Sequence, residues 1–108
     1  MSDPFTVKPG SLVLVHCHSP REKLWGVVVR LDALGVVVRG LDLATVEDWL
    51  RQTISEAEPL IGPSTVFVPM HRVERIYLDE SSGGAEGIGD RLRRATGREA
   101  ADLLLGRE

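Results

Sequence analysis

The sequence predicts a mainly β fold, a small and strongly bent five-stranded barrel that carries an inserted helix and a C-terminal helical tail. Three observations lead there. Valine and leucine are dense from Ser11 to Leu78, in short runs broken by turn residues, and β-branched side chains lose less freedom on a pleated surface than in a helix. Between two of these runs lies a longer segment whose apolar residues recur at three- and four-residue steps, the period of one helical face. After Leu78 the chain changes to Ser-Ser-Gly-Gly-Ala-Glu-Gly and then to a second helical pattern.

The strands are expected at about 12–18, 24–31, 35–39, 65–68 and 73–78. Alternation in the first puts Val13, Val15 and Cys17 on one face, the better core candidate, and Leu12, Leu14, His16 and His18 on the other. Strands two and three are joined by Leu31-Asp32-Ala33-Leu34-Gly35. Asp32 can cap this turn through its carboxylate and Gly35 can take a positive φ, so a tight hairpin is expected. Val46, Trp49, Leu50, Ile54 and Ala57 mark the face of the inserted helix. Thr45 and Asp48 have capping-box spacing, with Asp42 as an alternative start. Pro59, Gly62 and Pro63 end it. Pro69-Met70-His71-Arg72 is long enough for one turn and brings strand five back.

The domain reading is residues 1–80 as the barrel with a helical insertion at 43–58, residues 81–87 as a flexible linker, and residues 88–108 as a helical tail. Gly97 divides the tail, and Thr96 with Glu99 has the spacing to cap a second helix there.

Of the 108 residues 43% are hydrophobic and 27% charged, the proportions of an ordinary globular domain. Thirteen basic against sixteen acidic residues give a net charge of −3, which excludes an overall basic coat but leaves room for a local basic patch. The single Cys17 excludes an intramolecular disulfide and a four-cysteine zinc module. No run approaches the ~20 apolar residues of a membrane span, and Met1-Ser2-Asp3-Pro4-Phe5 lacks the pattern of a signal peptide. A cytoplasmic setting without membrane contact is expected.

Leu24-Trp25-Gly26-Val27 followed by Leu31-Asp32 and Val36-Val37-Val38 resembles the first motif of the Sm-like proteins, small barrels of SH3 type. Val66-Phe67-Val68-Pro69-Met70-His71 with Arg72-Val73-Glu74-Arg75-Ile76 resembles the second motif of the bacterial Sm-like RNA chaperones, the Hfq type. The resemblance spans roughly Leu12 to Leu78 and implies a homo-oligomer, joined by strand four of one subunit and strand five of the next, that binds RNA. It carries His71 over as an RNA contact and Asp32 as a structural turn residue. Met70 stands where those chaperones have lysine, the helix that normally precedes strand one has no room before residue 11, and the inserted helix separates the two motifs.

Candidate sites follow from the same residues. His71 and Arg72 with Arg91, Arg94 and Arg98, part of the one concentrated cationic run, are the RNA-binding candidates. The run also has a plainer reading, a solvated face that packs on the acidic inserted helix (Asp42, Glu47, Asp48, Glu56, Glu58) of its own or a neighbouring subunit. Ile88, Leu92 and Ala95 lie on one apolar stripe and Ala100, Leu103 and Leu104 on another. Ile88, Leu92, Leu103 and Leu104 are the candidates on which a protein partner could dock, an adaptor function without nucleic acid. His16 and His18, at i and i+2, could supply two corners of a metal site or simply end a strand. Cys17 reads as a small buried hydrophobe. Trp25, Trp49, Phe67 and Tyr77 read as core or interface anchors, and their spacing is not that of a base-stacking platform. No nucleophile elbow, phosphate loop or converging carboxylate pair is present, so a binding function without catalysis or cofactor is expected.

Overall fold

The computed structural model describes residues 3–56 and 60–107. Five antiparallel strands, β1 (Leu12–Cys17), β2 (Glu22–Asp32), β3 (Gly35–Asp42), β4 (Ser64–Pro69) and β5 (Val73–Leu78), form one sheet in the order β4-β3-β2-β1-β5. Helix α1 (Leu43–Ile54) is inserted between β3 and β4, a single 3-10 turn (Met70–Arg72) joins β4 to β5, and α2 (Ile88–Thr96) and α3 (Ala100–Leu104) follow. The strands run where valine is concentrated, with β2 and β3 longer than their apolar runs because antiparallel partners extend them to Glu22↔Cys17 and Asp42↔Leu24.

The expected barrel is not closed. β4 and β5 are the two edges of the sheet and are not paired with each other. The sheet nevertheless buries both faces. On the concave side Val13, Val15 and Cys17 of β1 meet Leu24, Val28, Val36, Val38 and Val68, with Val73, Ile76 and Leu78 of β5 against them and no helix contributing. A sheet face that buries valines without a covering layer must curl over itself. Gly26 and Gly40 make this curvature feasible: they are direct cross-strand partners, and a Cβ on Gly26 would lie 2.5 Å from the Arg39 carbonyl oxygen and one on Gly40 would overlap the Trp25 carbonyl. Irregularities in register at Val28/Arg30 and His16/Cys17 add to the bend.

The convex face is covered by the helices. Val46, Trp49 and Leu50 of α1 pack on Trp25, Val27 and Leu41 together with Leu92, Ala100 and Leu104 of the C-terminal helices. The Trp25 and Trp49 rings lie 5.4 Å apart between centroids. α1 begins at Asp42, the alternative start, and its first turn is fixed by Thr45 Oγ1 donating to the Asp42 carbonyl at 2.9 Å, so the Thr45–Asp48 box does not form. Ile54 is 38% exposed, and Ala57 lies outside the described residues. The β2–β3 hairpin has Asp32 capping its turn by accepting from the Leu34 amide at 2.9 Å. Gly35 does not take a positive φ; it is glycine because a Cβ would overlap the Val68 carbonyl and the Phe67 ring.

The segment 81–87, expected as a flexible linker, is an ordered turn in which Ser82 and Ala85 exchange backbone hydrogen bonds of 2.9 and 3.0 Å. Ser81 Oγ donates to Asp90 at 2.7 Å and accepts from the Gly87 amide. Asp79 ties this connection down. Its carboxylate accepts from the Ile88 and Gly89 amides, both at 2.8 Å, and from the Trp25 indole at 2.9 Å. It thereby satisfies two orphan donors of α2 and the one polar group of a buried ring. Gly97 ends α2 with φ +74°, and the Thr96–Glu99 box is replaced by Thr96 Oγ1 donating back to the Leu92 carbonyl.

Candidate functional site

The residues expected to bind RNA do not come together as one open cationic face. Arg72 turns inward across the base of the β1–β2 connection, donating to the carbonyls of His18 (3.3 Å) and Pro20 (2.9 Å) and pairing with Glu22 at 3.0 Å. Arg91 pairs with Glu47 of α1 at 2.6 Å, so the basic helix packs on the acidic one within the same chain. Arg94 makes a two-pronged contact with Glu86 at 2.8 and 2.9 Å, and this hydrogen bond holds the Glu86 carboxyl below its ordinary pKa. Arg93 is held by Glu99 and Asp90. His71 is exposed in the 3-10 turn, and Arg98 is exposed at the α2–α3 junction, far along the chain from it.

The apolar stripe of the tail is likewise engaged. Leu92 and Leu104 are completely buried in the convex core and Ile88 and Leu103 pack against it. These side chains cover Trp25 and Trp49 and offer no free stripe. Phe67 and Tyr77, expected as core or interface anchors, lie outside the core at 49% and 43% exposure, because each lies on an edge strand.

His16 and His18 also separate. β1 ends at Cys17, and His18 leaves the strand with its Nδ1 3.3 Å from Ser19 Oγ. Among the described residues no group of three or more histidine, cysteine or acidic side chains converges as metal ligands would. Cys17 is buried, and burial pushes its thiol pKa up.

A different cluster emerges from the register. His16 is the cross-strand partner of Lys23 on one side and of Arg75 on the other, and in the next row Leu14 lies between Trp25 and Tyr77. Direct partners share a face, so Lys23, His16, Arg75 and Tyr77 occupy the convex face just beyond the helical layer. The His16 and Tyr77 rings meet edge-on at 4.9 Å. Arg75 donates to the Tyr77 hydroxyl at 2.9 Å and lies 5.7 Å from its ring centroid. A cleft of about 240 Å³ at the end of β1 is lined by His16, Cys17, Arg21, Glu22, Lys23 and Glu74. Among the described residues Arg21, Lys23 and Arg75, like Lys8, Arg39 and Arg98 elsewhere, have no carboxylate in salt-bridge contact, whereas Arg30, Arg51, Arg72, Arg91, Arg93, Arg94 and Arg107 all do.

Comparison with protein-family models, with curated proteins and with solved structures finds no match for this chain. The chemistry is therefore that of the side chains themselves: one exposed and one half-buried ring, three cations without a salt bridge among the described residues, and a buried, unactivated thiol. Sequence reasoning missed this cluster because Lys23, His16 and Arg75 are joined only by strand register. The one signal in the sequence was His16 on the polar-ended face of β1.

Proposed function

We propose that the chain is a non-catalytic, Sm-like binding module whose copies assemble by pairing β4 of one with β5 of the next. The open sheet carries this reading: its edges are two strands of six residues each at opposite ends of the strand order. Edge strands present unpaired backbone donors and acceptors. Here the β4 edge also exposes Val66 (38%) and Phe67 (49%), and a cleft of about 380 Å³ lined by Leu24, Val38, Ile61 and Val66 leads into the concave core beside it. A neighbouring strand laid there removes both the open edge and the exposed apolar surface. Because the two edges differ, the contact is head-to-tail, the kind that builds a ring when its rotation closes and a filament when it does not. The tight β2–β3 hairpin and the one-turn link between β4 and β5 agree with the Sm-like resemblance, and RNA is the ligand that resemblance implies, with His71 exposed in the turn.

Light scattering on the purified chain tests the assembly. A ring-sized mass is expected, falling to that of a monomer in a Val66→Lys/Phe67→Glu double variant whose melting temperature stays within a few degrees of wild type. A monomeric wild-type chain throughout the micromolar range overturns the reading. Loss of RNA binding in His71→Ala places RNA at the turn, and retention removes His71 from the site. The adaptor reading requires α2 and α3 to leave the core in which Leu92 and Leu104 are fully buried.

A further inference from the structure

We propose that the convex face around His16 and Tyr77 is a nucleotide-binding site, in which a base stacks on the exposed Tyr77 ring beside the half-buried His16 while Arg75, Lys23 and Arg21 hold phosphate. This site uses side chains other than His71, although Arg72 of the 3-10 turn pairs with Glu22 at its cleft; its residues rise from the sheet face, Arg75 and Tyr77 from the edge strand β5 itself.

The elements a nucleotide unit requires are all present and accessible. Tyr77 is 43% exposed on the edge strand β5 beside the packed helical layer, so part of its ring is open to a ligand. His16 stands edge-on to it at 4.9 Å and Arg75 lies 5.7 Å from its centroid, so the rings and the guanidinium are already ordered by one another. Aromatic rings flanked by cations are the recurring means of holding unpaired bases, because every base has a π face and every nucleotide a phosphate.

Charge points the same way. In a chain of net charge −3, most arginines are paired with a carboxylate, yet Lys23 and Arg75 flank His16 on either side, and Arg21 lines the cleft with Lys23, with no salt bridge among the described residues. Glu22 is engaged by Arg72. That leaves Glu74, which lines the cleft, as the one carboxylate there without an ion-pair partner among the described residues. The local balance is positive against a negative whole, which selects for an anion at this place.

The test is fluorescence anisotropy of a short labelled oligouridylate at low salt, with free uridine monophosphate as competitor. Binding is expected for the wild-type chain, weakened about tenfold by Arg75→Glu or Lys23→Glu and strengthened by Glu74→Gln, with oligomeric mass unchanged in each. Tyr77→Phe keeps the stack and is expected to retain most affinity, while Tyr77→Ser loses it. With about three phosphate contacts, the logarithm of affinity falls with the logarithm of salt at a slope near −2. Competition by the monophosphate assigns the site to free nucleotides, and its failure assigns it to strands; either supports the site. It is overturned if wild-type protein binds neither probe, or if binding is abolished by His71→Ala but untouched by Arg75→Glu and Lys23→Glu.

Discussion

Asp79 shows how one side chain can hold two layers together. Its carboxylate accepts from the indole of Trp25, which is completely buried, and from the first two amides of α2. In the sequence it is only one of two adjacent acids, Asp79 and Glu80, after the last strand. Asp79→Ala leaves a buried indole N–H and two helix-terminal amides without an acceptor, which costs about 2–3 kcal/mol. A fall in melting temperature on the order of 10 °C is expected by calorimetry. Asp79→Asn keeps an acceptor and is expected to lose less. Cys17 offers a second residue-level check. Burial raises its folded-state pKa above the unfolded value, so the protonated thiol is favoured in the fold, and this contribution is fully present below the unfolded pKa and is lost as pH rises through the folded one. At neutral pH a disulfide reagent is expected to label Cys17 slowly in native protein and within the mixing time in urea; equal rates in the two would contradict its burial.

At the scale of elements, the C-terminal helices belong to the core. Each is short, and helices of nine and five residues are unstable alone, so their structure depends on the docking of Leu92, Ala100 and Leu104 against Trp25 and Trp49. The docking has polar fixings too: Arg39 Nε donates to the Leu104 carbonyl at 2.8 Å, closing α3 onto β3, and Arg91 reaches Glu47 of α1. Deleting everything after Ser82 removes those apolar side chains, worth roughly 2–3 kcal/mol for each large one, from a domain whose total stability is of the order of 5–15 kcal/mol. The truncated chain is expected to lose cooperative unfolding and to show red-shifted tryptophan emission. A truncated chain that melts like the full one would make the tail a separate unit after all.

For the whole molecule, the legible part was what local chemistry dictates. Strand positions followed from valine density, the concave face of β1 from the alternation of Val13, Val15 and Cys17, the buried stripe of α1 from the spacing of Val46, Trp49 and Leu50, and the division of the tail from Gly97. Each of these depends on neighbours within a turn or a strand, where period and conformational preference act directly. Long-range facts were not legible. A Gly-Ser-rich stretch reads as a tether by composition, yet here Ser81 and Asp79 organise it against α2 and Trp25. An arginine run reads as a phosphate-binding face, yet Glu47, Glu86 and Glu99 pair with Arg91, Arg94 and Arg93, leaving Arg98 as the arginine of the run without a salt bridge among the described residues. The aromatic residues are too far apart along the chain to suggest a stacking platform, yet register sets Tyr77 against His16, some sixty residues away. By itself the sequence determined a mainly β fold with helices at the insertion and the tail. Only the tertiary structure decided that the sheet stays open at β4 and β5, that the tail is core, and which cations remain without an acid partner. The reason is physical: propensity and period are properties of neighbouring residues, whereas closure, burial and charge pairing depend on which distant side chains the register and the layer packing bring within reach.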